Sequence, residues 1–187
     1  MSSRQGAKPY TAVRTAARTA IDAVHRGTLI ALRDELDILC VEVEADASWP
    51  ADVAWAFEAL QPRRRRRRTL LTRRPKPFEN VTDLKPGDDR DFAIAVAVAP
   101  YTSYAIGITH DAGVAYTAYD RGDEPYFELT DAEYALVATY IAAHGADPGL
   151  LISYEEQRPS GKETQTHEEL AQDRLHGGHG HPDADRA

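Results

Sequence analysis

The sequence predicts an α+β fold: N-terminal helices, then an antiparallel β-meander with a packed C-terminal helix and a disordered tail. Apolar residues recur at helical spacing over the first 60 residues, and they alternate with other residues between residues 92 and 129. Helices and strands that occupy separate blocks of a chain are typical of α+β proteins. We therefore expect a single domain over residues 10–154, between a disordered N-terminus at 1–9 and a disordered acidic tail at 155–187.

The length and composition suit one folded domain. The chain has 187 residues, of which 42% are hydrophobic, and this is enough for a sizeable core. No stretch approaches the about 20 consecutive apolar residues that cross a bilayer, and residues 1–8 lack the apolar segment of a signal peptide. A single cysteine, Cys40, rules out an internal disulfide. These features predict a cytoplasmic protein with no membrane partner and no cofactor.

Two helices are predicted before residue 41. The first covers residues 10–26, where four apolar residues share one helical face: Val13, Ala17, Ala20 and Val24. The second covers residues 28–40 and rests on four leucines: Leu29, Leu32, Leu36 and Leu39. Gly27 between them permits either a helical hairpin or one kinked helix. The alternation of apolar residues over residues 39–43 also fits a strand at the end of this segment.

A third helix and a long connection follow. Ser48 is suited to the N-cap of this helix, and Val53, Phe57 and Leu60 share one face before the helix ends near Pro62. Trp49 and Trp55 lie on or beside it, and their large apolar area predicts burial in the core or at the domain edge. Residues 62–91 combine adjacent arginines with several prolines, which predicts an arginine-rich connector with little regular structure.

Four strands are predicted between residues 92 and 129. In the first, at residues 92–98, Phe92, Ile94, Val96 and Val98 alternate with alanine, so both of its faces should be buried. Shorter strands follow at residues 104–108, 114–119 and 126–129, with turn-forming residues between them. Short turns join neighbouring antiparallel strands, and the segment is therefore expected to form a meander.

The last predicted helix begins at a capping box formed by Thr130 and Glu133. His144 and Gly145 mark its C-terminus, since glycine commonly ends a helix. Residues 150–154 are apolar enough for a final strand. Beyond residue 154 the chain is polar and charged, and such a segment has too little apolar surface to offset the entropy lost on ordering.

The main polarity of the chain is a basic block within an acidic sequence. The net charge is −8, although residues 63–76 carry nine positive charges and no negative one. Arginine is permanently charged, and its planar guanidinium group pairs with phosphates and stacks on bases. We therefore expect an anionic partner, with nucleic acid favoured, to bind at Arg63, Arg64, Arg65, Arg66, Arg67, Arg68, Arg73, Arg74 and Lys76. The alternatives are a solvated linker and a segment that pairs with acidic groups of the same chain.

No residue set matches a familiar catalytic or metal-binding signature. His110 and Asp111 are the best acid–base pair, but neighbouring residues in a turn seldom point at one atom, so we assign no catalytic residue. Imidazole groups bind divalent transition metals, which makes three histidines of the tail weak metal candidates: His176, His179 and His181. Their spacing is not that of a structural site.

These observations favour a non-enzymatic cytosolic interaction protein that binds a polyanion through a mobile arginine-rich segment. The acidic tail would then compete for that segment. The alternative is an acidic protein-binding module, such as an inhibitor or an antitoxin-like protein, whose folded surface makes the contact with a protein partner. A third hypothesis is an enzyme with dispersed acid and base residues, because such residues form no recognisable motif.

Overall fold

Seven strands form one antiparallel sheet with four helices packed on it, in a computed structural model that describes residues 4–13, 16–43, 49–67, 81–119 and 125–154. The strands are β1 (Lys8–Ala12), β2 (Leu36–Glu42), β3 (Val81–Leu84), β4 (Tyr104–Thr109), β5 (Val114–Tyr119), β6 (Tyr126–Leu129) and β7 (Leu151–Ser153). The helices are α1 (Arg18–Leu32), α2 (Ala54–Arg67), α3 (Asp89–Val98) and α4 (Asp131–Ala143). The fold is therefore a mixture of helices and an antiparallel sheet, as the sequence predicts.

The strand order of the sheet is β3-β2-β4-β5-β6-β1-β7. β4, β5 and β6 are consecutive in the chain and adjacent in space, which confirms the second to fourth strands of the predicted meander. β1 lies between β6 and β7, so the start of the domain pairs with its end. β2 joins the meander on its other side and carries β3 at the edge.

The helices form one layer over one face of the sheet, which we call the inner face. α1 contacts both α3 and α4, and α3 also contacts α2. The core between the layers contains fully buried side chains from both, including Leu29 of α1, Leu39 of β2 and Phe127 of β6. Gly27 allows α1 and α4 to approach closely, because a Cβ atom at this position would lie 3.0 Å from Cδ1 of Tyr140.

The first two predicted helices are wrong in their bounds. Residues 8–12 form β1, and α1 begins only at Arg18 and continues through Gly27 to Leu32. Residues 36–42 form β2, so the helix predicted to Cys40 is wrong and the strand alternative is confirmed. The burial of β2 explains the difference, since Leu39 and Val41 alternate with less buried residues, and a register shift between Leu36 and Ile38 makes the spacing of Leu36 and Leu39 look helical.

The strand predicted at residues 92–98 is also wrong, because these residues belong to α3. Ile94, Ala95 and Val98 are its buried residues, and this spacing corresponds to one helical face. The N-cap is Asp88, whose side chain accepts a hydrogen bond from the backbone N–H of Asp91. Two further aspartates in the first turn, Asp89 and Asp91, interact favourably with the positive end of the helix dipole. The alternation of alanine with larger apolar residues fits both the strand period and the helical period. The Asp88 N-cap is the local feature that distinguishes the helix from a strand.

The predicted connector at residues 62–91 contains more regular structure than expected. Residues 62–67 continue α2 beyond Pro62, residues 81–84 form β3, and α3 begins at residue 89. Arginine has a high helix propensity, and positive charge near a helix C-terminus interacts favourably with the helix dipole, which accounts for the extension of α2. Residues 68–80 lie outside the described residues, and so do the predicted N-cap Ser48 and the predicted tail at 155–187.

The C-terminal part of the domain follows the prediction closely. Thr130 caps α4, because its Oγ1 accepts a hydrogen bond from the backbone N–H of Glu133 and its own N–H donates to Oε2 of Glu133. Gly145 follows the helix with a φ of 75°, a left-handed conformation that glycine adopts easily. β7 confirms the last strand. In the described part of the chain, no helix has the length and apolar character needed to cross a membrane.

The N-terminal residues are tied to the domain by Arg4. Its side chain donates hydrogen bonds to Oε1 of Glu133, at 2.5 Å, and to the backbone carbonyl of Glu128, at 2.9 Å. Lys8 and Pro9 pair with β6. Thus part of the segment predicted as disordered, residues 1–9, lies in the sheet or against it.

The contact between Arg4 and Glu133 lowers the pKa of the Glu133 carboxyl group. Burial acts to raise the pKa of Glu133, but the hydrogen bonds from Arg4 and Thr130 outweigh burial and hold the pKa below its ordinary value of 4.5. Such a carboxyl group stabilises the fold above its unfolded-state pKa, and this contribution is lost as the pH falls through the lower, folded-state pKa. The contact therefore makes the domain sensitive to acid.

We expect Arg4→Gln to lower the free energy of unfolding by about 1–3 kcal/mol at neutral pH, because a charged hydrogen bond is lost at a partly buried site. The variant should also lose less stability than the wild type as the pH falls below about 4.5. Urea unfolding across this pH range measures both effects. Lys8→Gln is the control, because the ion pair of Lys8 with Asp131 is exposed and should contribute little. Equal acid sensitivity of Arg4→Gln and the wild type would contradict this account.

Candidate functional site

The arginine run is the C-terminal end of a helix. Arg63, Arg64, Arg65, Arg66 and Arg67 are the last five residues of α2. Five helical residues span about one and a half turns, or about 8 Å along the helix axis. Arg68, Arg73, Arg74 and Lys76 lie outside the described residues.

The other half of α2 is anchored in the core. Ala56 and Leu60 are fully buried, and Phe57 stacks on Trp49 with ring centroids 4.1 Å apart. Trp49 is half-buried, as predicted for an edge residue, whereas Trp55 is 48% exposed. The helix end that carries the arginines is thus held by a packed segment of the same helix.

The face of the sheet opposite the helices, which we call the outer face, is apolar. Strand register places Ile38 beside Ile108, and Cys40 beside Ile106. On the far side of β4, Ile106 pairs with Thr117 and Tyr104 pairs with Tyr119. These side chains alternate with the buried ones of the inner face, and the isoleucines are half-buried, not enclosed.

Tyrosines and carboxylates complete the outer face. The rings of Tyr104 and Tyr119 have centroids 5.5 Å apart, and those of Tyr126 and Tyr154 have centroids 5.4 Å apart. Three carboxylates follow the same alternation: Glu42, Asp83 and Glu128. Among the described strands the one basic residue is Lys8, which pairs with Leu129 of the inner face. The outer face is therefore apolar, aromatic and negatively charged.

A polar cluster lies at the N-terminal half of α1. Oδ2 of Asp22 accepts a hydrogen bond of 3.0 Å from the hydroxyl of Tyr101, and Nε of Arg18 lies 3.0 Å from Oδ1 of Asp22. The Trp49 ring contacts Tyr101 edge-on at 5.8 Å. Burial raises the pKa of Asp22, and this effect outweighs Arg18 and the Tyr101 hydroxyl, which act to lower it. A carboxylate that is costly to ionise is a feature of many functional sites.

The predicted acid–base pair does not act as one unit. Oδ1 of Asp111 accepts hydrogen bonds within its own turn, from the hydroxyl of Thr109 and from the N–H of Gly113. These hydrogen bonds lower the pKa of Asp111. Nδ1 of His110 lies 3.8 Å from Asp37, on a different strand. Asp111 is thus a turn residue, and the geometry gives His110 no aligned acid or base partner at this tip.

His144 also has a structural position, because its Nδ1 lies 2.8 Å from the carbonyl of Tyr140 at the end of α4. In the described ranges, no group of three or more His, Cys, Asp or Glu side chains could hold a metal ion. His176, His179 and His181 are beyond those ranges, and the metal hypothesis for the tail stays a prediction.

Two features were not found from the sequence. The Asp22–Tyr101 contact joins residues 79 positions apart, and no local spacing indicates it. The outer face depends on which strands are neighbours, and the helical spacing of the leucines over residues 28–40 predicted a helix where β2 lies. The alternation within residues 104–108 was the one indication available, since it puts Tyr104, Ile106 and Ile108 on one face of β4 and only alanine and glycine on the other.

Comparison with known proteins gives no functional assignment. No family model matches the chain, and no curated protein or solved structure shows significant similarity to it. A function can therefore be inferred only from the chemistry of the described surfaces.

We expect Asp22→Asn to unfold at an equal or higher urea concentration than the wild type at neutral pH. A carboxyl group whose folded-state pKa is raised destabilises the fold as the pH rises above its ordinary value of 3.8, and asparagine removes that penalty. Urea unfolding on both sides of that pH measures the difference. Asp34→Asn, at an exposed position, should change stability by less than about 0.5 kcal/mol. A clear loss of stability in Asp22→Asn at neutral pH would contradict this explanation.

Proposed function

We propose that the protein is a non-enzymatic binding protein that holds an anionic partner, with nucleic acid favoured, at the arginine end of α2. The observation that carries the proposal is the continuation of α2 through residues 63–67, on a helix whose first half buries one face in the core. Phosphate groups bind dense positive charge by releasing counterions, and the interaction needs no base-specific contact.

The anchored helix supports this proposal for a physical reason. A fully disordered arginine segment loses backbone entropy of about 1–2 kcal/mol per residue when it is ordered on a partner. Residues 63–67 already have helical backbone geometry, so less of this cost falls on binding. Contacts to phosphates position a protein on a nucleic acid without reading its sequence, and weak sequence preference is therefore expected.

The test replaces Arg63 to Arg67 by glutamine in one variant and by lysine in another. Glutamine keeps helix propensity and removes the charge, whereas lysine keeps both. We expect the wild type and the lysine variant to bind single- and double-stranded oligonucleotides, with affinity falling about 100-fold between 50 and 200 mM salt if about four phosphates are contacted. The glutamine variant should bind weakly and with a shallower salt dependence.

Fluorescence anisotropy with a labelled oligonucleotide gives the dissociation constants, and circular dichroism checks that each variant is folded. Equal affinity of the glutamine variant and the wild type would reject the arginine end of α2 as the binding element. Binding of the wild type that is independent of salt would also reject it, because phosphate contacts are salt-dependent.

A second candidate function is favoured by the outer face. Isoleucine and tyrosine side chains at the centre of an interface, with charged groups around them, are typical of protein-binding surfaces. The carboxylates Glu42, Asp83 and Glu128 suit a partner surface that is basic and partly apolar. Such a protein would act as an acidic binding module, of the inhibitor or antitoxin-like kind.

This second candidate predicts that a peptide of alternating isoleucine and arginine binds the wild type and binds Ile106→Lys at least about 10-fold more weakly, since a like charge then faces the peptide. Isothermal titration measures both affinities. Leu136→Lys is the matched control, because Leu136 is 60% exposed on α4, in the helical layer, and its substitution should have no effect. An equal loss in both variants, or equal binding of a serine–arginine peptide, would show simple charge attraction and reject the outer face.

A further inference from the structure

A groove in the helical layer combines apolar walls with an arginine. Its volume is about 360 Å³, which falls in the range of small-molecule sites. α1 contributes Arg26 and Ile30, α3 contributes Phe92 and Val96, and α4 contributes Tyr140. The groove contains no residue of the arginine run or of the outer face, so it is a separate feature of the molecule.

Arg26 lines the groove and has an unsatisfied donor. Its Nε is enclosed, and it has no hydrogen-bond partner among the described residues. An enclosed polar atom that has lost water without gaining an acceptor is unfavourable. Asp22 lies one turn earlier in α1 and interacts electrostatically with Arg26, but the close contacts of its carboxylate are with Arg18 and Tyr101. The guanidinium group of Arg26 can therefore gain from an added acceptor.

The walls around Arg26 present apolar surface to solvent. Ile30 is 43% exposed, and it is among the few large hydrophobic side chains that are exposed in the described part of the chain. Phe92 and Val96 are half-buried beside it. The guanidinium group of Arg33 lies over the Phe92 ring, with its carbon 4.5 Å from the ring centroid, which fixes the position of that wall. A concave apolar surface of this kind gains free energy when a ligand displaces its water.

We propose that this groove binds an amphiphilic monoanion: a carboxylate that pairs with Arg26, joined to a short apolar chain that packs against Ile30, Phe92 and Val96. Arginine and carboxylate are complementary in charge and in planar hydrogen-bond geometry. Asp52 also lines the groove and is exposed, so its negative charge disfavours a dianion more strongly than a monoanion. The ligand class is therefore a monocarboxylate with an apolar tail, not a dianion.

Isothermal titration with octanoate tests the head group on the wild-type protein. Octanol and octylamine carry the same chain with a neutral and a positive head, and octanedioate carries two carboxylates. We expect octanoate to bind at least about 10-fold more tightly than each of the other three, because only octanoate pairs with Arg26 without a second charge. Equal affinities for octanoate and octanol would show adhesion to an apolar surface and overturn the proposal, as would the absence of octanoate binding.

Substitution of Arg26 tests the residue. Arg26→Gln should weaken octanoate binding about 10-fold or more, whereas Arg26→Lys should retain part of the affinity. Arg90→Gln is the matched control, since it removes an exposed arginine of α3 that does not line the groove. Unchanged affinity in Arg26→Gln would overturn the proposal. If Arg26→Gln does not fold, Arg26→Lys and the comparison of head groups decide the outcome.

Discussion

The rest of the structure depends on the packing of α1 against the centre of the sheet. His25 of α1 is fully buried, and its Nδ1 lies 2.7 Å from the hydroxyl of Tyr116 on β5. The His25 ring also meets the Phe127 ring nearly at right angles, with centroids 5.8 Å apart. Burial raises the pKa of Tyr116, so the tyrosine stays neutral inside the core. A hydrogen bond between two buried polar side chains fixes the orientation of α1 more narrowly than apolar contacts alone.

A single layer of helices on the seven-stranded sheet covers the inner face and leaves the outer face without a helix among the described residues. α1 holds α3 and α4, and α3 holds α2, so all four helices are committed to the inner face. The outer face is left with isoleucine, tyrosine and carboxylate groups, while the densest positive charge of the described residues belongs to α2. The two proposed surfaces therefore suit different partners: an anionic partner for the arginine end of α2, and a basic, partly apolar partner for the outer face. This division also means that removing the arginine charges and altering the outer face can be done independently.

The sequence predicted local features well and long-range ones poorly. The capping box at Thr130, the turn after Thr109 and the turn before Leu151 depend on neighbouring residues, and the elements beside them were correctly predicted. β1, at residues 8–12, was missed because it is a strand only through pairing with β6 and β7. α3 was missed because alternating alanine and valine fits either period. Of the candidate sites, the arginine run is visible in the composition, whereas Arg26 and Asp22 became candidates only when α1 was placed beside α3 and the Ala99–Tyr101 turn.

The position of β1 between β6 and β7 sets an order for folding during synthesis. Residues 8–12 leave the ribosome before the other strands of the sheet, and the first of their partner strands begins at Tyr126. At typical rates of about 5–20 residues per second, β1 waits roughly 6–23 s before a partner strand exists. During that interval α1 lacks β5 and β6, which supply the partners of His25. β1 can therefore enter the sheet only after β6 has been synthesised, and contacts of such long sequence separation are typical of slowly folding domains.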